Sequence, residues 1–175
     1  MHTLGGGKRG DLSEAMKLLT QVLPPPGPDK ELLFFASIDV DSHAIKKNSR
    51  QIFLNRKTHR PFLGKSRDLE QAEQTMTLQL KSCRVSQGLF NPITVPVWVC
   101  FMFHVEQYFT KKGHVSKNLP DLSNLYQLPE DCLVKAGILE DDRLIESHDG
   151  SRRFPASKNR LDVLVFRYGP TDSTI

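Results

Sequence analysis

A run of valine, aromatic and sulfur-bearing residues, ITVPVWVCFMF from Ile93 to Phe103, is the most restrictive feature of the chain. Crossing a bilayer as a helix takes about 20 apolar residues, and this run is shorter. Its Val and aromatic content suits a strand instead. Read onward as ITVPVWVCFMFHVEQYF, it predicts one long strand to Phe109, with Pro96 placing its beginning at an edge or ahead of the pairing. The N-terminus lacks the apolar core of a signal peptide. Cys83, Cys100 and Cys132 are widely spaced and form no Cys-x-x-Cys pair, as expected of buried thiols in a reducing compartment. The expectation is a cytoplasmic protein with no membrane partner.

At 175 residues the chain suits a single domain. Residues 1–30 read as an N-terminal appendage: GGGKRG is flexible, and DLSEAMKLLTQVL can form a short amphipathic helix, with Asp11 as cap and Glu14 three residues on, before PPPGP stops it. Residues 31–168 form the domain, and 169–175 a tail. ELLFFASIDV suits a first strand. RQIFLNRKTHRPFLG has apolar patches at Ile52–Leu54 and Pro61–Leu63 around a basic centre, predicting a β-hairpin with a basic tip. Between Ser66 and Cys83, Leu69, Ala72, Met76, Leu80 and Cys83 keep the spacing of a helix with one buried stripe, Ser66 capping and Asp68 in its first turn. RLDVLVFRY, Arg160–Tyr168, is a last strand. The fold class expected is α/β, a mixed sheet with two main helices after the first strand, in the order β-hairpin, helix, strand, helix, two strands.

A net charge of +4 says little, but its distribution says more. From His43 to Arg67 the chain carries Lys46, Lys47, Arg50, Arg56, Lys57, Arg60, Lys65 and Arg67 and no Asp or Glu. Such a local field suits phosphates. Smaller basic groups follow at Thr110–Asn118, with Lys111, Lys112 and Lys117, and at Ser151–Arg160. A solvated basic face is the competing reading of any one group alone.

Between the last two groups lies an acidic segment, PDLSNLYQLPEDCLVKAGILEDDRL, with Asp121, Glu130, Asp131, Glu140, Asp141 and Asp142. Carboxylates this dense repel unless they are solvated, cap a helix or share a cation. Leu122, Leu125, Cys132, Leu133 and Ala136 share a helical face, Gly137 is a stop, and Asn124, Gln127 and Asp131 share the polar side. Pro129 predicts a kink, or a helix that properly begins there. A chain folding back across the helix would bring Asp121 to Asp142 as a hard-cation site of Mg²⁺ type. The alternatives are that Asp121 is only an N-cap and Glu140–Asp142 only a solvated turn.

The stretch DLSNLYQLPEDCLVKAGILEDDRLI resembles the core motif of the RusA-type Holliday junction resolvases: an Asp-Leu-Asp-Asn-Leu pattern, a Lys one turn on, a KAG-like helix end and DD before a strand. With AIKKNSRQIF, GKSRDLEQAEQ and NRLDVLVF, the likeness spans about Leu32 to Arg167. It implies a homodimeric, Mg²⁺-dependent endonuclease, Mn²⁺ serving as well, that acts on branched DNA. Asp121 and Asp142 match the family's first and last metal-binding Asp, and Asn124 the Asn of the motif. Ser123 stands where the family has a second acidic ligand, and Gln127 where it has the catalytic lysine. Asp131, with Glu130 or Asp141, is the candidate to compensate. The resemblance also makes Leu144–Arg153 a strand and PASKN the turn, where turn chemistry alone makes HDGS a tight hairpin. It makes Arg152 a phosphate contact, alongside Lys46, Lys47, Arg50, Arg56, Lys57, Arg60, Lys111, Lys112 and Lys117 in the basic segments. His148 is expected to face solvent. Two other classes compete with the enzyme: a module that binds branched DNA without cutting, and a basic protein-interaction domain.

Overall fold

The longest buried stretch of backbone is β4, Val97–Val105, every residue of which is buried. A strand at the centre of a sheet covered on both faces has no polar face, and this explains the unbroken apolar run. Pro96 lies just before it, where a missing N–H costs no ladder bond. The strand stops at Val105 rather than at the expected Phe109.

The computed structural model describes residues 13–14, 16–17, 31–40, 50–54 and 57–169. Strand β1, Leu32–Asp39, is followed by β2, Arg50–Leu54, and β3, Pro61–Lys65, an antiparallel pair forming its own two-stranded sheet. Helix α1, Arg67–Ser86, β4 and helix α2, Leu122–Lys135, come next. A short 3₁₀ turn at Asp142–Leu144 leads to β5, Ile145–Ser147, then β6, Arg152–Pro155, and β7, Arg160–Arg167. The main sheet runs β1-β7-β4-β5, with β6 also on β4. β7 is antiparallel to both β1 and β4, while β5 and β6 are parallel to β4, so the sheet is mixed.

Alternation sorts the central strands into two faces. Val97, Val99, Phe101, Phe103 and Val105 join Leu161, Val163 and Val165 in the larger core, against Leu69, Met76 and Leu80 of α1 and Leu125, Cys132 and Leu133 of α2. Trp98, Cys100, Met102, Leu164 and Phe166 form a smaller cluster on the opposite face, where Met16 packs. The positions described within 13–17 are helical. Leu133 is fully buried between helix and sheet. Leu133→Ala should therefore cost about 2–5 kcal/mol, read as a lower urea midpoint at unchanged slope.

The cap of α1 is as its sequence indicates: Ser66 Oγ accepts from Leu69 N at 3.2 Å. Its stripe holds one residue the periodicity did not mark, Glu73, buried and paired with Lys135 of α2. Pro129 starts no new helix. α2 is continuous from Leu122 to Lys135 with Pro129 buried inside it, the ring adding to the packed face. Gly137, at φ 71°, ends it as expected.

The strand from Leu144 to Arg153 is broken in two, giving three strands after α2 where two are expected. His148 O accepts from Ser151 N at 3.0 Å, so HDGS does turn. It does not reverse the chain, because β5 and β6 both run parallel along the same edge of β4. The reversal into β7 comes at 156–159, at PASKN.

Candidate metal and nucleic-acid site

Asp121 occupies the N-cap position of α2 and its backbone carbonyl accepts from Asn124 N at 3.0 Å. Its side chain makes no capping hydrogen bond, although Asp is among the residues best suited to do so. The carboxylate is exposed at the positive end of the helix. Beside it, Arg153 donates to Pro120 O at 2.7 Å. Ser123 and Gln127 are exposed and Asn124 is half-buried on the turns that follow.

Asp142 lies elsewhere. With Asp131, Val134, Lys135 and Asp141 it lines an open pocket at the C-terminal end of α2. Asp141 is committed there: Oδ1 accepts from Arg143 N at 2.9 Å and from Nε at 2.8 Å, and Oδ2 from Nη2 at 2.8 Å. These Arg143 bonds hold the Asp141 carboxyl well below the usual carboxylate range. That makes Asp141 a turn-forming residue rather than a ready ligand.

The chain after Asp142 runs back along α2. His148 stands beside Tyr126 and Glu130, and Arg153 beside Pro120. With about 1.5 Å of rise per residue, Asp131 and Asp121 are about 15 Å apart along the helix. Asp121 and Asp142 therefore sit at opposite ends of α2, and a single chain does not bring them together. Among the described residues no group of three or more His, Cys, Asp or Glu is placed to hold one metal ion. The donors are all carboxylates, the chemistry a hard cation prefers, and Mg²⁺ is commonly held by one or two of them with water and phosphate. Within one chain the candidate carboxylates are divided between the two ends of α2.

His148 is half-buried rather than solvent-facing. Its ring stacks on Tyr126 at 4.8 Å and 7°, and its Nε2 is 2.9 Å from a Glu130 oxygen. Burial raises the Tyr126 hydroxyl pKa, opposed by its bond to Ser151. On α2, Glu130 thus has the His148 ring as its neighbour.

The basic residues divide by location. Lys46, Lys47 and Arg56 lie outside the described residues, and Arg50 is in β2. Lys57 and Arg60 are exposed in the turn of the β2–β3 hairpin. Lys111 and Lys112 are exposed on a loop closed by a bridge between Phe109 and Val115, and Lys117 is exposed just beyond it. Arg152 pairs in register with Met102, which puts it on the face away from α2. It lies near Cys100, whose thiol burial pushes up to about 12 against a smaller lowering by Arg152, so the sulfur stays protonated. The arginine that reaches the start of α2 is Arg153, one position on, through its bond to Pro120 O. The two-residue alternation of a strand paired to β4 was the signal for it, hidden until the register was known.

A second polar cluster is buried on the sheet. Asp162 accepts from Ser37 Oγ at 2.6 Å and lies 2.8 Å from His104 Nε2, and Arg160 Nε is 3.1 Å from its other oxygen. Arg160 also reaches Glu14 at 3.6 Å.

No protein-family model matches the chain, and neither does any curated protein. No helix among the described residues is long and apolar enough to cross a membrane.

Proposed function

We propose that this is a RusA-like endonuclease that acts on branched DNA and resolves four-way junctions in recombination and repair. The observation that carries the reading is the Asp121 carboxylate, left out of its own helix cap next to the Pro120 carbonyl that Arg153 holds, with Lys111, Lys112 and Lys117 in the segment that leads into α2. An N-cap retained for stability alone would bond the first-turn amides. Mixed strand order and two helices on one face agree with the fold the sequence resemblance implies.

Asp121 and Asp142 stand at opposite ends of α2, so the reading requires a second copy. In a two-fold dimer with the α2 helices antiparallel, Asp121 of one protomer meets Asp142 of the partner subunit, and the same contact repeats once. Two equal sites then face two symmetric strands. Mg²⁺ held there would supply a more acidic bound water and charge neutralisation at the scissile phosphate. The protein's own residues do the rest: Arg153 and the lysines hold the phosphate backbone, with affinity that falls steeply with salt and depends little on sequence. A DNA substrate and the free cysteines support a cytoplasmic location for such a protein.

One observation favours a second reading, a module that grips branched DNA without cutting it. Ser123 and Gln127 are both exposed beside Asp121, and neither carries charge. A labelled four-way junction incubated with the protein and Mg²⁺ or Mn²⁺ separates the two. Paired symmetric nicks support the enzyme; a salt-sensitive gel shift with intact strands supports the module; the absence of both sinks each of them.

A further inference from the structure

The loop between β4 and α2 was read from sequence as the end of a strand and a basic run. It is instead a small hairpin. Ser116 N donates to Tyr108 O at 2.9 Å, Thr110 N to His114 O at 2.8 Å, and Gly113 N to Thr110 O at 2.9 Å. Gly113, at φ 78°, makes the turn with open space around it. Across the bridge, Phe109 is 51 % exposed and Val115 54 % exposed, two apolar side chains held out in an otherwise polar hairpin. The Phe109 ring is braced: Tyr108 meets it edge-on at 5.0 Å, and Tyr108 itself packs against the main core.

From this we infer that the hairpin Tyr108–Ser116 is a wedge for DNA branch points, with Phe109 stacking on a base that has lost its neighbour there. The inference rests on the DNA reading above and says how that site recognises a branch. Three features select this occupant. From Thr110 to Asn118 the segment carries Lys111, Lys112, His114 and Lys117 and no acid, so the chain that follows the exposed ring is rich in phosphate-binding charge. Two isolated apolar side chains offer too little area for a protein interface of standard size, yet one aromatic ring is enough to stack on one base. Finally, the hairpin closes at Ser116 and Asp121, the residue before α2, follows five residues later in the chain, so a short connection joins the two. A continuous duplex presents no open base face, whereas a branch does. Apolar side chains that enter a base step act in this way.

The test compares a four-way junction carrying 2-aminopurine at the branch with a matched duplex, bound by the wild type, Phe109→Ala, Phe109→Trp and the pair Lys111→Ala/Lys112→Ala. Because Phe109 is exposed, the Ala variant should keep the far-UV spectrum. It should bind duplex within about twofold of wild type, bind the junction about tenfold more weakly, and lose the 2-aminopurine response. Phe109→Trp should keep both. The lysine pair should weaken junction and duplex alike, lowering the salt slope by about 2. If the wild type prefers junctions and Phe109→Ala matches it in affinity and fluorescence, the wedge is wrong and the DNA reading stands. A wild type that binds duplex and junction equally, with no fluorescence change, also rules out the wedge alone. One that binds neither DNA overturns both.

Discussion

Asn at Asp121, or at Asp142, should lower junction nicking by about 10²–10³ while leaving junction binding within about twofold, because each change removes one charge from the cutting site and none from the basic surface. The separation of the two residues makes the stronger form of this result a mixing experiment. In a dimer whose sites each take Asp121 from one chain and Asp142 from the other, joining an Asp121→Asn chain to an Asp142→Asn chain puts both changes in one site. The other site is then wild type. A 1:1 mixture allowed to exchange subunits should recover about a quarter of wild-type nicking, as single nicks rather than pairs. If each site belonged to one chain, no mixture would recover anything. Nicking that survives both single variants would remove the carboxylates from the chemistry altogether.

The second large effect concerns stability. Asp162 is 1 % exposed in the middle of β7, and Asp162→Asn should cost about 3–5 kcal/mol, because Arg160 and His104 would be left facing a neutral amide. Burial raises the Asp162 pKa, but its bonds to His104 and Ser37 and the charge of Arg160 outweigh that, and the net direction is down. A carboxyl held lower in the folded chain than in the unfolded one adds stability in full above the ordinary carboxylate range. The contribution is lost as pH falls through the folded value. Urea unfolding of wild type and variant should therefore differ most near neutral pH and converge in strong acid. A difference that stays constant across that range would show that Asp162 acts through shape rather than charge. The cluster resembles a catalytic Ser-His-Asp set in composition only, since the serine hydroxyl is spent on the aspartate.

Local periodicity carried much of the fold. The stripe and cap of α1, the first strand and the β2–β3 hairpin were legible because each depends on residues within a few positions of one another. Relations across the chain were not. Ser37, His104 and Asp162 meet across the sheet with nothing local to join them. HDGS has the composition of a hairpin turn, yet whether a turn reverses a chain depends on where the next strand finds its partner, and β6 finds β4. Pro129 reads as a breaker because propensity ignores packing, yet it lies buried inside a continuous α2. For the site, residue types were readable and placement was not. Spacing suggested that Asp121 and Asp142 meet, but spacing does not give the direction in which the intervening chain returns. Nor did the sequence mark Arg153, which the pairing of β6 with β4 puts on the α2 side while its neighbour Arg152 lies on the other face.

The strand order has a consequence for how the molecule is made. β7, the last of the described strands to be synthesised, belongs between β1 and β4, both of which are made long before it. Until Arg160–Arg167 emerges, the nascent chain holds two apolar strands with bare hydrogen-bonding edges turned toward each other and nothing to fill the gap. Folding of the sheet is thus deferred until Arg160–Arg167 has been made, and a chain interrupted before Arg160 presents a template for aggregation rather than a smaller folded core.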